Sequence, residues 1–313
     1  MTAQAAKRYQ EPAISSGDER ATIIRLAQHA SVEMTVHDAG KLGDCQAILR
    51  GGSRLYISHL PGQEWEATIA TAAQVRGHGF EPVPHVPVRK LASREELEQV
   101  LEQLTRRAGV RQILLIAGDV KEAAGPFTAS AEVMKSGLLG RHGITTLSVA
   151  GHPEGHPAVS ETETRNAEAA KAELARELGL ELTFVTQFLF ETAPIVSWSR
   201  QLHERGVQGH IAIGLAGPAK LTTLINYAMR CGVGPSMRAL SQRGGVLTKL
   251  IGERGPEKIV REIAGGMLSG QLAVDSLHFY TFGGLLRTCR WVKAVSEGRF
   301  ELDDDAGFVL ASD

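Results

Sequence analysis

A chain of 313 residues is long enough for one large domain or two ordinary ones, and a single α/β barrel of roughly 250 residues with extensions falls in that range. Hydrophobic residues make up 43% and charged residues 22%, ordinary globular proportions that argue against disorder and against a membrane-embedded chain. The net charge is -1 with both signs interspersed, so no field draws nucleic acid or anionic lipid, and a small-molecule partner is expected.

The three cysteines, Cys45, Cys231 and Cys289, lie far apart in sequence and form no C-x-x-C pair, which argues against a disulfide framework or a structural zinc site and suits a reducing cytoplasm. Residues 1–20 are polar and charged, without the apolar core of an export signal. No stretch approaches the roughly 18 apolar residues that span a bilayer. This first segment reads as a polar arm, residues 21–300 as the catalytic domain and 301–313 as an acidic tail whose Asp303, Asp304 and Asp305 form a solvated turn.

Eight apolar, β-branched runs follow one another at residues 31–36, 55–58, 82–88, 112–116, 145–149, 182–188, 210–215 and 276–281. The segments between most of them carry helical signals, so the pattern is strand then helix, with parallel strands and right-handed crossovers. The clearest helix starts with Ser93 and Glu96 as a capping box, continues through Leu97, Val100, Leu101 and Leu104 on one face, and stops near Gly109. Residues 163–178 and 256–267 make two more, the latter opened by Pro256. About 60 residues separate the last two runs, including Gly232-Val233-Gly234-Pro235 and Arg243-Gly244-Gly245, too many for one crossover. The expected architecture is therefore a single (β/α)8 TIM barrel with extra helices before the last strand, covering one mouth.

In such a barrel functional side chains gather at the C-terminal strand ends, and the polar exceptions to these apolar runs lie there. Glu33 sits inside Val32-Glu33-Met34; a carboxylate within a β-run either faces solvent by alternation or is a general acid or base. His85 interrupts Pro84-His85-Val86, and Asp119 follows Gly118 at a strand end, where it faces a ligand or caps the next helix. In His152-Pro153-Glu154-Gly155-His156-Pro157, two prolines forbid a helix, so the two imidazoles form no helical metal pair. They either pack a loop or hydrogen-bond a ring system or phosphates. Gln187, which interrupts Thr186-Gln187-Phe188, offers a donor and an acceptor that suit the lactam edge of a heterocycle such as a pterin, or is a satisfied core amide. The neighbouring Phe188 and Phe190 read as core. No metal constellation, G-x-G-x-x-G, P-loop or nucleophile elbow is present.

Taken in order, these clusters resemble the methylenetetrahydrofolate reductases of the short, catalytic-domain type over roughly residues 30–290. The resemblance rests on Val32-Glu33-Met34, Pro84-His85-Val86, Gly118-Asp119, the loop from His152 to Pro157, Thr186-Gln187-Phe188-Leu189-Phe190 and His278-Phe279-Tyr280-Thr281. It implies an eight-stranded barrel that holds FAD at the strand ends and passes a hydride between NADH or NADPH, the flavin and methylenetetrahydrofolate, in one-carbon metabolism leading to methionine. Carried over by position, Glu33 is the acid that activates the folate and Asp119 tunes the flavin ring. Gln187 holds the pterin, while Ser58 or His59, His85, Gly118, His152 and His156 line the flavin site. A homo-oligomer is expected. The chain departs from the family's pattern at Ala117, where an Arg precedes the Gly-Asp pair, at His152, where the loop carries Tyr, and at Phe282-Gly283-Gly284 after the last strand. It also lacks a clear set of FAD-phosphate ligands in the helix after His156, for which Lys171 or Arg176 would substitute. The alternatives are a flavin-independent or mainly oxidative relative, and a barrel that binds methyltetrahydrofolate for methyl transfer.

Overall fold

The computed structural model describes residues 16–118, 120–156, 158–231, 253–304 and 306–311. Eight strands, β1 (Ser31–Met34), β2 (Arg54–Ile57), β3 (Glu81–Pro87), β4 (Gln112–Ile116), β5 (Thr146–Gly151), β6 (Glu181–Thr186), β7 (His210–Ala216) and β8 (Ser276–Tyr280), pair in parallel. They close into a barrel in which β1 lies between β2 and β8. Every apolar run read from the sequence is one of these strands. The fold is a TIM barrel.

Two kinds of burial hold it. Outward-facing residues such as Val32, Met34, Leu55 and Ile57 pack under the helices in one continuous core. Inward-facing Tyr56, Val83, Leu114, Val185 and Ala212 fill the barrel interior. Each fully buried aliphatic side chain contributes about 1.5–3 kcal/mol relative to its exposed state. The helix Arg94–Ala108 buries Leu97, Val100, Leu101 and Leu104 as its periodicity predicts, and Gly109 ends it. Only half of its expected capping box forms. Ser93 Oγ accepts from Glu96 N–H, but the Glu96 carboxylate turns away to accept from Ala92 N–H and from the Trp65 indole at 3.0 Å.

Both chain ends differ from the expected arm and tail. Helix α1 (Ser16–Gln28) already begins within the first 20 residues, and its Arg20 donates to the carbonyls of Gly298 and Phe300. Residues Phe300–Leu302 and Phe308–Leu310 pair as an antiparallel hairpin. Phe300 and Phe308 are buried against each other, and Asp303 accepts from Gly307 N–H in the turn. Paired aromatics at 300 and 308, four residues either side of Asp304, supply the apolar content that anchors this segment.

Between β7 and β8 the extra helices are present as Leu221–Cys231 and Glu257–Leu268, each preceded by a short strand, Ala219–Lys220 and Glu253–Arg254, which pair with one another. The Gly232 to Pro235 and Arg243 to Gly245 segments lie outside the described residues, so the cover expected over the mouth is not placed. Among the described residues no helix is long and apolar enough to cross a membrane.

Candidate active site at the barrel mouth

Alternation along β1 sends Val32 and Met34 outward and Glu33 inward, opposite Tyr56 of β2 in the parallel register. Glu33 is therefore not on the solvent side of an amphipathic strand, and its side chain keeps 19% exposure. Ser58 Oγ donates to Glu33 Oε1 at 2.7 Å. The other oxygen, Oε2, faces two imidazoles, His85 Nε2 at 3.6 Å and His278 Nε2 at 3.5 Å. At these separations Oε2 and both nitrogens are buried and make no hydrogen bond. Three buried polar atoms without partners cost about 1–3 kcal/mol each, a cost that a ligand or a proton completing the set removes.

Burial by itself would raise the Glu33 carboxyl, but His278, His85 and Ser58 together outweigh it and hold the carboxyl below its ordinary range. Burial pushes His85 down, against the pull of the Glu33 charge. The ring of His278 is fully enclosed and fixed by Ser31, whose Oγ lies 2.9 Å from Nδ1. Tyr56 and Tyr280 meet it edge-on with ring centroids 4.6 and 4.7 Å away. Tyr56 is itself held by Ser148 at 2.9 Å and Gln112 at 3.2 Å deep in the barrel.

Beside this cluster stands an aromatic wall. Phe188 contacts Phe190, Tyr280 and Phe282 edge-on, Tyr280 and Phe282 lie nearly parallel, and exposed Tyr227 meets Phe282 at a tilt, with centroids 4.4 Å apart. Phe282 sits at φ 47°, a conformation that non-glycine residues rarely adopt and that concentrates at functional sites. Gly214 lets the wall close: a Cβ there would lie 2.2 Å from Thr186 O and 2.8 Å from the Tyr280 ring, whose hydroxyl donates to the same Thr186 carbonyl at 3.0 Å. Gln187 follows β6 and is half-buried, with Oε1 accepting from Phe188 N–H at 3.2 Å. Phe188 thus belongs both to the core, as expected, and to this wall.

The loop from His152 is anchored from beneath. Buried Glu168 accepts from the Trp198 indole at 2.9 Å and pairs with Arg165, which donates to His152 O at 3.1 Å. His152 and His156 meet edge-on at 5.1 Å, and His156 Nδ1 accepts from Ala158 N–H. Burial, together with His156, Lys171 and Arg165, pushes His152 down to about 3, so it is neutral at physiological pH. Burial lowers His156 as well. Among the described residues no group of three or more His, Cys, Asp or Glu is arranged to hold a metal ion. Gly118 adopts φ 90°, with room for a Cβ only 2.9 Å from that of Pro87, so the chain turns closely past β3 there. Asp119 lies outside the described residues.

Two expectations for the β2 end need correction. The Ser58 hydroxyl is engaged by Glu33 rather than directed at a cofactor. His59 has no ring nitrogen left for a flavin: Nδ1 pairs with Thr68 Oγ1 at 2.8 Å, and Nε2 faces Lys90 Nζ at 2.6 Å. Because the ammonium only donates, His59 Nε2 is the acceptor and the ring is neutral. Burial and then Lys90 push it down to about 4. Sequence reasoning missed Tyr56, and it named His278 only within a motif and Phe282 only as a departure from the pattern, giving neither a role in the site. His278 carried a signal, an imidazole inside the apolar run Leu277-His278-Phe279, of the same kind that singled out Glu33 and His85.

No family model matches the chain. Among solved structures it is similar to the deoxyribose phosphate aldolase of Aeropyrum pernix, a protein described as tetrameric, at 9% identity and a TM-score of 0.44 over 87% of this chain and 97% of that one.

Proposed function

We propose that this barrel is a methylenetetrahydrofolate reductase-like oxidoreductase, in which Glu33 directs a proton to a folate while a nicotinamide supplies or accepts the hydride. The observation that carries the reading is Glu33 itself: a buried carboxylate at the mouth, bracketed by two imidazoles, with one oxygen lacking a hydrogen bond. Reduction of the methylene bridge needs a proton on the amine nitrogen that leaves as the five-membered ring opens, and a hydride on the methylene carbon. Glu33 is the group of this cluster suited to deliver that proton. The aromatic wall of Tyr280, Phe282 and Tyr227 offers faces for the flat pterin and aminobenzoyl rings. Gln187 keeps an amide to read the pterin edge.

The fit to FAD is partial. Neutral His152 and His156 and the close backbone turn at Gly118 suit the edge of a flavin ring, which when bound would relay the hydride. The diphosphate end is not matched among the described residues. Arg165 is engaged by Glu168 and His152 O, and Arg89 by Thr128 O and Val120 O. Burial lowers Lys171 from its ordinary value, which weakens it as a phosphate partner. This mismatch favours a second reading, direct hydride transfer from the nicotinamide to the folate, and no step here depends on flavin.

The test is anaerobic mixing of the protein with methylenetetrahydrofolate and NADH or NADPH, with and without added FAD. The reading expects nicotinamide oxidation coupled to methyltetrahydrofolate formation. Glu33→Gln is expected to lower that rate by roughly 100-fold or more, the usual contribution of a general acid, with folate still bound. Folate binding without any hydride transfer, with or without FAD, would instead identify a methyltetrahydrofolate-binding barrel.

A further inference from the structure

Two buried thiols lie away from the mouth and take no part in the proton transfer. Cys45 sits on the seven-residue helix Leu42–Ile48 that follows β1, and Cys289 on the helix Leu285–Ser296 that follows β8. These helices pack against each other because β1 and β8 are neighbours where the barrel closes, with Ser31 opposite His278 and Val32 opposite Phe279. Every other pair of neighbouring strands in the barrel is consecutive in the chain, so β1 against β8 is the one join that no connection between successive strands bridges. Both thiols are fully buried there, with their sulfurs 3.9 Å apart. A single buried thiol packs as a small hydrophobe, and each of these belongs to the continuous core. Two that face each other across the join can also bond. The contact with Cys289 lowers the Cys45 thiol, and the same contact, then burial, raises Cys289, so Cys45 is the sulfur that ionises first.

We propose that Cys45 and Cys289 form a reversible disulfide that staples the first strand–helix unit of the barrel to the last when the protein meets a peroxide. Cys45 sulfur attacks one oxygen of hydrogen peroxide, the O–O bond breaks, and the departing hydroxide leaves as water with the thiol proton. The sulfur is now a sulfenic acid, oxidised by the two electrons that the peroxide has gained. Cys289 sulfur then attacks it, the S–S bond forms, the S–O bond breaks, and a second water leaves with the Cys289 proton. Two thiols and one peroxide have become one disulfide and two waters. The sulfurs close from 3.9 Å to the bonding distance of about 2.05 Å by side-chain rotation and a shift of the short helix that carries Cys45. Because both are buried, peroxide reaches them while the chain folds or as the two helices part transiently, so the bond forms more slowly than at a surface thiol. The bond encloses residues 45–289, and a long enclosed loop loses the most unfolded-state entropy on cross-linking.

The test needs no substrate and stands apart from the folate reading. Reduced protein is exposed to hydrogen peroxide, once folded and once during refolding from urea, then alkylated in denaturant, digested without reductant and read by mass spectrometry. A peptide pair joined through Cys45 and Cys289 is expected, and dithiothreitol should separate it. The thermal midpoint is expected to rise by about 5 °C on oxidation and to return on reduction. Cys45→Ala/Cys289→Ala should show no such rise. Dithiothreitol reverses a disulfide and leaves methionine sulfoxide in place, so oxidised protein compared before and after dithiothreitol reads the staple even where the double variant folds poorly. Unlinked, alkylated Cys45 and Cys289 after both treatments overturn the proposal, as does a bond from either to Cys231 instead. A Cys45–Cys289 bond whose reduction leaves the midpoint unchanged or raises it overturns the staple as well.

Discussion

Ser58→Ala separates a hydroxyl that holds Glu33 from one that touches a cofactor. The 2.7 Å bond from Ser58 Oγ to Glu33 Oε1 is short and charge-assisted, and bonds of this kind contribute about 1.5–3 kcal/mol. Ser58 N–H, which donates to Met34 O at 2.9 Å, is untouched by the substitution, so the strand pairing survives. Losing that donor removes one of the interactions that hold the carboxyl down, so Glu33 should titrate higher in the variant. The Glu33 carboxyl is depressed in the folded state, so its stabilisation is present above the ordinary carboxylate pKa and is lost as pH falls through the folded value. Urea denaturation near pH 7.5 should therefore show a deficit of about 2 kcal/mol that shrinks as the pH drops below the ordinary carboxylate range. Carbon-13 NMR of the Glu33 carboxyl should show the upward shift. An unchanged Glu33 titration combined with weakened flavin binding would refute the assignment and return Ser58 to the cofactor.

Neutral His59, pushed down to about 4, binds fewer protons folded than unfolded between pH 4 and 6.5, so acidification through that window destabilises the protein. His59→Gln should flatten the dependence of denaturation midpoint on pH there, and an equally steep dependence would contradict the Lys90–His59 geometry. Gly214→Ala places a methyl against Thr186 O and the Tyr280 ring and should cost on the order of 3 kcal/mol by thermal or urea unfolding, the upper range of overpacking. A neutral effect would show that β6, β7 and β8 do not approach as described. Phe282→Ala removes the ring that lies between Tyr227 and Tyr280 and should weaken folate binding about tenfold in a fluorescence titration, corresponding to one aromatic contact. Unchanged affinity would remove the aromatic wall from the folate site.

The fold was legible because barrel strands buried on both faces read as near-continuous apolar runs, and each run from 31–36 to 276–281 became a strand. Glu33 and His85 stood out as polar interruptions of those runs, and the barrel brought them within 3.6 Å of each other. What the sequence hid were pairings across the barrel. His278 lies 245 positions from Glu33 and meets it only because β8 closes against β1. Cys45 and Cys289, distant in sequence, lie 3.9 Å apart for the same reason. The fate of Ser58 and His59 depended on which side chains faced them from β1 and from Lys90, and neighbouring-strand contacts of this kind leave no trace in local spacing.

The most direct measurement of the central claim is a single-turnover comparison of wild type and Glu33→Gln, mixing nicotinamide-loaded protein with methylenetetrahydrofolate and following methyltetrahydrofolate formation alongside the folate dissociation constant. The account predicts a wild type that turns over and a variant at least about 100-fold slower with folate bound as tightly. A variant that turns over as fast as the wild type would show that Glu33 does not carry the proton.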